Sequence, residues 1–511
     1  MFDEPTAGRL AEFCDLIRRC RTAYDALDLD LTLPEVLRNE TVRHIGVHHN
    51  VLGIGGIGRV LPIMVERMRT AGFKVTVFID RELPPGSGLG SLPVDVDVVV
   101  LPKAVADSSP KQLVRRFKVL AREIRERKID AWYDHSHNLV SWSDNPALWT
   151  MMAVRYVLAL PCFMHVHAQF TMDLYRGDGD RFDVLVRKFF PQWLSALVVL
   201  SRADEWFFRS RGIEAMYMPN PLDRLLREAA DVTRPVCPQG KTVLWVGRMA
   251  SVQKQPVEAL KVFARVHERD PDTSMIMLGD GDAMADALRF RKKHHLDDCV
   301  ELTGVRKDAY EFYRRADVFL CTSRFEGFSL VLLEAMAHGV PIVSYEMPYL
   351  ETFRGNEGAI RVPQGDVAAA ADAVLRLLND HDMAERIGAA AFAHLRKLDA
   401  FDFASAYSRV FQGRVEPSFT DVESADLRQV AEDCLWDSAA AGNYVFRNTL
   451  LAYGRLFRPV TRALVAYHVF RSALAAPFSK QVASEHKEKA VRLEKLYRWV
   501  SRPGRRVPLF G

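Results

Sequence analysis

Glu326 and Glu334 stand eight residues apart in "RFEGFSLVLLEAMAHGVPIV", a loop that runs into an apolar, helix-like segment. Carboxylates so placed accept hydrogen bonds from hydroxyl pairs such as a ribose diol, and Glu334, inside the helix, is expected to point along it toward a cleft. Gly327 lets the loop turn tightly. Ser329 is expected to cap the helix, and the early N–H groups around Leu330 and Val331 then form an anion site. Earlier in the chain, "GRMASVQKQP" sets Arg248 and Lys254 just past a strand-like run. Two cations beside a helix N-terminus suit a diphosphate, whose charge must be neutralised when a bond to it breaks. In "GDGD" (279–282) Gly279 begins a tight turn that brings backbone close to a ligand or to a neighbouring helix. Taken singly these features are bland, since a lone helical glutamate is usually a solvated face and "GDGD" a turn. Their order along the chain lifts them. Phe325 and Phe328 read as packing residues.

In the first half, "VLGIGGIGRV" (51–60) spaces Gly53, Gly55 and Gly58 as G-x-G-x-x-G, and Asp80 follows about twenty residues on, where a nicotinamide enzyme places its ribose-binding acid. Against that reading, "HHNV" separates the strand-like run from Gly53, whereas the fingerprint begins at the strand end. "FMHVHAQF" puts His165 and His167 at alternate positions near a strand end, with only one of them expected to face the cleft. "YDHSHN" adds His135 and His137 after another strand, as acceptor site or as simple loop. Close histidines suggest a metal, although no further carboxylate cluster joins them.

Elements must position these groups. The chain has 511 residues, 49 % of them hydrophobic, which is too long for one core and suits two or three domains. Residues 1–40 read as a helical extension with Leu10, Phe13, Leu16 and Ile17 on one face. From 41 to 222, strand-like runs ("RHIGVHH", "KVTVFID", "VDVVVLP", "IDAWYDH", "PCFMHVH", "ALVVLS") alternate with helix-like ones. "MPNPLD" and the Pro-containing stretch to about 240 read as a linker, after which the alternation restarts with "TVLWVGR" and runs to "PIVSYE". Two successive α/β sheets predict two Rossmann-like domains facing a cleft, with ligands at the carboxyl ends of the strands. Acids in "MFDEPTAGRL" stand where a signal peptide needs bases, and "MMAVRYVLALPCFM" is broken by Arg155 and too short to span a bilayer. A cytoplasmic chain without a transmembrane helix is expected. The seven scattered cysteines form no C-x-x-C pair and read as reduced structural thiols.

"VGR" with the downstream Lys254, "LGDGD", "VELTGV", "YRRADVFLCTSRFEGFSLVLLEAMAHGVPIVS" and "VPQGD" together resemble the family-4 retaining glycosyltransferases of GT-B fold, over about 41–415 and most densely over 243–366. The resemblance implies an acceptor domain at 41–222, a nucleotide-sugar donor domain at 223–398 and a crossover helix at 399–415 that returns to the first domain. It places Glu326 by the donor-sugar hydroxyls, Gly327, Phe328 and Ser329 as amide donors to sugar or phosphate with Leu330 and Val331 behind them, and Glu334 on the ribose. Arg248 and Lys254 would stabilise the departing nucleoside diphosphate, with Gly279 and Val305 on the donor side. The lysine usually follows the arginine by five residues in this family, and here it follows by six. Gly55 and Gly56 fill the role of the glycine-rich loop that approaches the diphosphate across the cleft. The family often has an acid where this chain has Gly58, just before Arg59, so only the glycines carry over. His167 takes the place of a histidine beside donor sugar and acceptor, and Arg306 and Lys307 read either as nucleotide contacts or as plain surface.

The implied activity moves a sugar from a nucleoside diphosphate, most commonly uridine diphosphate, to a hydroxyl of a saccharide or lipid-linked saccharide with retention of configuration, in surface polysaccharide or glycolipid assembly. The departing phosphate takes the acceptor proton, and no metal or other cofactor is implied. Two alternatives stay open: a GT-B-like sugar-nucleotide epimerase, which the Glu326–Glu334 element disfavours, and a non-catalytic GT-B adaptor.

Residues 416–511 lie outside the resemblance and read as a basic helical appendage. Of these, 447–511 hold 14 Lys/Arg against 3 Asp/Glu in a chain of net charge +4. In "RLFRPVTRALVAY" the arginines share one helical face and the apolar residues another, as in a segment that lies on an anionic membrane surface, peripheral to the inner face, or packs on the body. Nucleic acid is not expected as a partner, because no recognised binding fold accompanies the charge.

Overall fold

The computed structural model describes residues 4–20, 22–27, 29, 31–35, 42–49, 56–80, 92, 93, 95–104, 108–135, 145–169, 184–222, 240–306 and 308–442. The first sheet consists of β1 (His44–His49), β2 (Lys74–Ile79), β3 (Asp97–Val100), β4 (Ala131–Asp134), β5 (Cys162–Val166), β6 (Ala196–Val199) and β7 (Ala215–Tyr217), in the order β3-β2-β1-β4-β5-β6-β7. The second consists of β8 (Thr242–Val246), β9 (Ser274–Leu278), β10 (Val300–Gly304), β11 (Val318–Cys321), β12 (Ile342–Tyr345) and β13 (Ala359–Val362), in the order β10-β9-β8-β11-β12-β13. Every strand pairs in parallel with its neighbours. Each order reverses direction beside the first strand of its sheet, the topology that opens a ligand crevice at the carboxyl ends. Helices cover both faces, so central strands such as β4 and β11 are buried along their whole length.

The N-terminal helix Glu4–Arg19 is part of the first domain's core. Phe13, Leu16 and Ile17 are buried, and the Phe13 ring meets Phe117 and Trp149 edge-on with centroids 5.5 Å away in each case. Near the other end, the helix Phe403–Phe411 buries Phe403, Tyr407, Val410 and Phe411 in one cluster with Val47, Val77 and Tyr133 of the first sheet. The chain therefore crosses back from the second sheet to the first. Beyond it, the Ser418 N–H donates to Glu205 Oε1 at 3.0 Å and the Trp206 indole donates to Ser424 Oγ at 3.0 Å.

The described residues as far as Leu435 form one compact unit that holds both sheets. The basic stretch 447–511 lies outside the described residues. Among the described residues, no helix is long and apolar enough to cross a membrane.

Candidate active site

The carboxyl ends of β8, β9 and β11 bring the motif residues together. The Gly247 N–H donates to the Leu278 carbonyl at 3.0 Å and the Met249 N–H to the Asp280 carbonyl at 2.9 Å, so the loop after β8 lies on the "GDGD" loop. Gly279 has φ of +133°, and a Cβ there would stand 1.8 Å from the Gly247 carbonyl oxygen. Only glycine meets both demands. Asp282 accepts from the Ser251 N–H at 3.2 Å and from its hydroxyl at 2.6 Å, which fixes the turn ahead of Lys254. The Lys254 Nζ reaches Glu326 Oε1 at 2.5 Å, and both side chains are largely out of water. Arg248 donates to Gln253 Oε1 at 3.2 Å, and Gln253 donates in turn to the Phe325 carbonyl at 3.3 Å, so this cation rests beside the same loop. The Glu326 N–H donates to Tyr349 Oη at 2.9 Å.

Ser329 does not cap the helix Leu330–Ala337. Its backbone is left-handed, with φ of +61°, whereas a capping serine needs extended backbone to aim its oxygen at the first N–H groups. The Ser329 Oγ is instead buried and, among the described residues, has no hydrogen-bond partner. Phe325 and Phe328 are buried, as packing residues should be. Leu330 and Val331 open the helix and are half-buried. Val305 is exposed, and its neighbour Arg306 binds Asp308 at 2.9 and 2.7 Å, which favours a surface role; Lys307 lies outside the described residues.

Glu334 is met from the opposite domain. Its Oε1 accepts from Arg59 Nη1 at 2.5 Å and its Oε2 from Tyr313 Oη at 2.8 Å, while Arg59 Nη2 donates to Tyr310 Oη at 2.9 Å. Arg59 lies in the first turn of the helix Gly56–Thr70. The resemblance carries over only the glycines of this loop, and Arg59 is a site residue that it does not supply; its signal in the sequence is a cation in the first turn of the helix that follows the glycine loop. Gly56 opens that helix, and Gly55 lies outside the described residues. The two domains also touch by backbone: a Cβ on Gly327 would stand 2.1 Å from the His167 carbonyl oxygen, and Phe325 packs on Ala168. A second bridge, away from these groups in sequence, joins Arg202 to Glu351 through the Arg202 N–H at 2.9 Å and its guanidinium at 2.7 Å.

At the carboxyl end of the first sheet, His48 lies 2.9 Å from Asp134 and 3.0 Å from Asp80, and Arg116 also binds Asp80. Burial alone would lower the His48 pKa, but the Asp80 charge and the hydrogen bonds to Asp134 and Asp80 push it up to about 9. Burial would likewise raise Asp80, yet the charges of His48 and Arg116 hold its carboxyl well below the usual range. Asp80 is therefore committed to a buried ion network, which removes the acid that a dinucleotide reading requires.

His135, His165 and His167 converge next to this network, each offering a ring nitrogen within 4.8 Å of the others. The expectation that only one of His165 and His167 faces the cleft fails, because residues two apart on a strand share a face. Their rings stack with centroids 4.0 Å apart, and the His167 ring meets His135 at 4.1 Å. Burial lowers the His165 pKa to about 3, which keeps the ring neutral. His137 lies outside the described residues.

Two family models match the chain in succession: Glycosyltransferase Family 4 over residues 54–224 and Glycosyl transferases group 1 over 240–380. A phosphatidyl-myo-inositol mannosyltransferase of Mycobacterium leprae is 25 % identical over 363 residues, which cover 70 % of this chain and 93 % of that protein. An exopolysaccharide phosphotransferase of Streptomyces coelicolor is 32 % identical over 202 residues, 38 % of this chain but only 21 % of the relative's own length. Among solved structures, Anabaena HepE in complex with UDP and glucose superposes with a TM-score of 0.54 at 16 % identity, covering 70 % of this chain and 96 % of that one. The two parallel sheets thus form a GT-B fold, and the chain belongs to the group 1, family-4 glycosyltransferases.

Proposed function

We propose that this protein transfers a sugar from a nucleoside diphosphate-sugar, with uridine as the base, to an acceptor hydroxyl with retention of configuration, in the assembly of a glycolipid or surface polysaccharide. The observation that carries this reading is the meeting of Glu334, Arg59 and Tyr313 beside the Lys254–Glu326 pair where the two sheets face each other. Glu334 is a carboxylate already held by donors of the kind a ribose diol supplies. The buried Ser329 hydroxyl and the N-terminus of its helix offer donors to phosphate oxygens. UDP in the HepE complex and the mannosyl transfer to a phosphoinositide named for the mycobacterial relative support the donor and acceptor classes.

In the proposed reaction the acceptor oxygen bonds to the anomeric carbon as the bond from that carbon to the phosphate oxygen breaks. The electron pair of the broken bond goes to that phosphate oxygen, which then takes the acceptor's proton on the same face. Arg248 and Lys254 meet the charge that develops on the diphosphate, and this reading assigns no metal to that task. Lys254 is held by Glu326, a partner that the donor's phosphate would replace in this reading. His167 and Glu326 flank the donor sugar. Incubation with UDP-, GDP- and ADP-sugars, with or without simple glycoside acceptors, tests the assignment: UDP release from a UDP-sugar supports it. Anomeric NMR of the product separates retention from inversion. Release of another nucleotide alone would replace the uridine assignment.

A further inference from the structure

We propose that the outer face of the helix Pro110–Glu126 docks on an anionic lipid bilayer, with Lys111, Arg115, Lys118 and Arg122 set against the headgroup phosphates. The sequence builds this helix firmly. Ser109 caps it: its Oγ accepts from the Gln112 N–H at 3.4 Å, the Gln112 side chain accepts from the Ser109 N–H at 2.8 Å, and Pro110 opens the first turn. Leu113, Phe117, Leu120 and Ile124 are buried in the first domain's core, which fixes the face that looks outward. On that outer face basic residues recur at intervals of four, three, four and three from Lys111 to Arg125, and every one is exposed. A row so spaced keeps to one side of a helix and runs about 21 Å.

Three observations make this row a surface for a partner. First, Lys111, Arg115 and Lys118 form no ion pair among the described residues, and the first turn of the helix contains no acid. Arg122 shares the Glu123 carboxylate with Arg127, so positive charge stays in excess at that end too. Like charges one turn apart repel, a cost that a negative partner removes. Second, the row borders an open depression of about 340 Å³, lined by these four cations and by the half-buried Val114 and Val119. Third, the charge continues onto a neighbouring helix. Phe13 of the helix Glu4–Arg19 packs on Phe117; burial pushes the Cys14 thiol up, and the charges of Lys118 and of exposed Arg18 both act against that shift. Because the core takes the apolar side of the helix, attachment is electrostatic and not an insertion, with the valines and the cation stems against the interface. The choice of a bilayer over another polyanion rests on the glycolipid reading of the proposed function, whose acceptor is met at a membrane. The basic stretch 447–511 is a separate source of charge, so the test alters the helix alone.

The full chain is co-sedimented with vesicles of phosphatidylglycerol and phosphatidylcholine, and with vesicles of phosphatidylcholine alone. Binding to the first and not to the second is expected, and rising salt should release it. Arg115→Gln with Lys118→Gln should weaken it about 25-fold, since each cation at an anionic surface contributes a factor of about five. Lys292→Gln with Lys293→Gln removes the same charge from exposed positions on the helix Met284–Lys293 and should leave binding unchanged. UDP binding, read by calorimetry on each protein, separates this inference from the transfer reading. Vesicle binding weakened only in the Arg115 and Lys118 variant supports the docking surface whether or not UDP binds, whereas UDP binding without vesicle binding overturns the docking surface alone. Vesicle binding that the first pair leaves unchanged, or that both pairs weaken equally, also overturns it, as does binding to a DNA duplex without binding to vesicles.

Discussion

At the carboxyl end of the first sheet the ionisable groups are sunk: His48 and Asp134 are fully buried and tied to each other, and the His165 and His167 rings stack while His135 meets His167 edge-on. At the same end of the second sheet, Lys254 and Glu326 form a largely buried pair, and Glu334 is held across the domains by an Arg59 whose side chain is 42 % exposed. Two ends of the same topology therefore carry different loads. Charges in the first are balanced within the domain by buried partners. Those in the second are balanced in the Lys254–Glu326 and Arg59–Glu334 pairs, whose partners the phosphate and ribose of the proposed donor would replace.

Four substitutions test this contrast, in order of decreasing effect. His48→Ala leaves Asp134 buried without its imidazole and should cost about 3–5 kcal/mol of stability in denaturant titration; a loss far below that range would show that the network is not structural. Lys254→Ala should lower sugar-nucleotide turnover by roughly 10²–10³-fold, with a smaller fall in melting temperature than His48→Ala produces. Retained turnover would remove Lys254 from the chemistry. Glu334→Ala should weaken UDP by about 1.5–3 kcal/mol, the worth of hydrogen bonds to a charged group, and calorimetry reads this directly. Arg59→Ala removes a partly exposed guanidinium from a buried Glu334 that keeps its Tyr313 hydrogen bond, and should change the stability of the protein by about 1 kcal/mol. A larger loss would make Arg59 a structural tie instead of an exchangeable partner.

The sequence showed the second end better than the first for a physical reason. Glu326, Gly327, Ser329 and Glu334 sit on one continuous loop and helix, so their spacing is visible in the chain itself. The Arg59–Glu334 contact joins residues 275 positions apart, and no local pattern announces it. The His48–Asp80 and His48–Asp134 pairs, 32 and 86 positions apart, are equally hidden, and Asp80 taken alone suggested a different cofactor altogether. The parallel sheets were legible because buried strands are nearly continuous apolar runs. β7 and β13 escaped notice, the first because three residues, Ala215–Tyr217, are too few to show a pattern, the second because "AIRV" carries an arginine. The serine cap was misread because a cap motif specifies residue type and not the left-handed backbone found at Ser329.

The most direct test of the central claim is an isothermal titration of the wild-type chain and of Glu334→Ala with UDP, GDP and ADP. Saturable binding of UDP in preference to the other two, weakened in the variant, is expected. A folded wild-type protein that binds none of the three nucleotides, or a Glu334→Ala variant that binds UDP as tightly as the wild type, would contradict it.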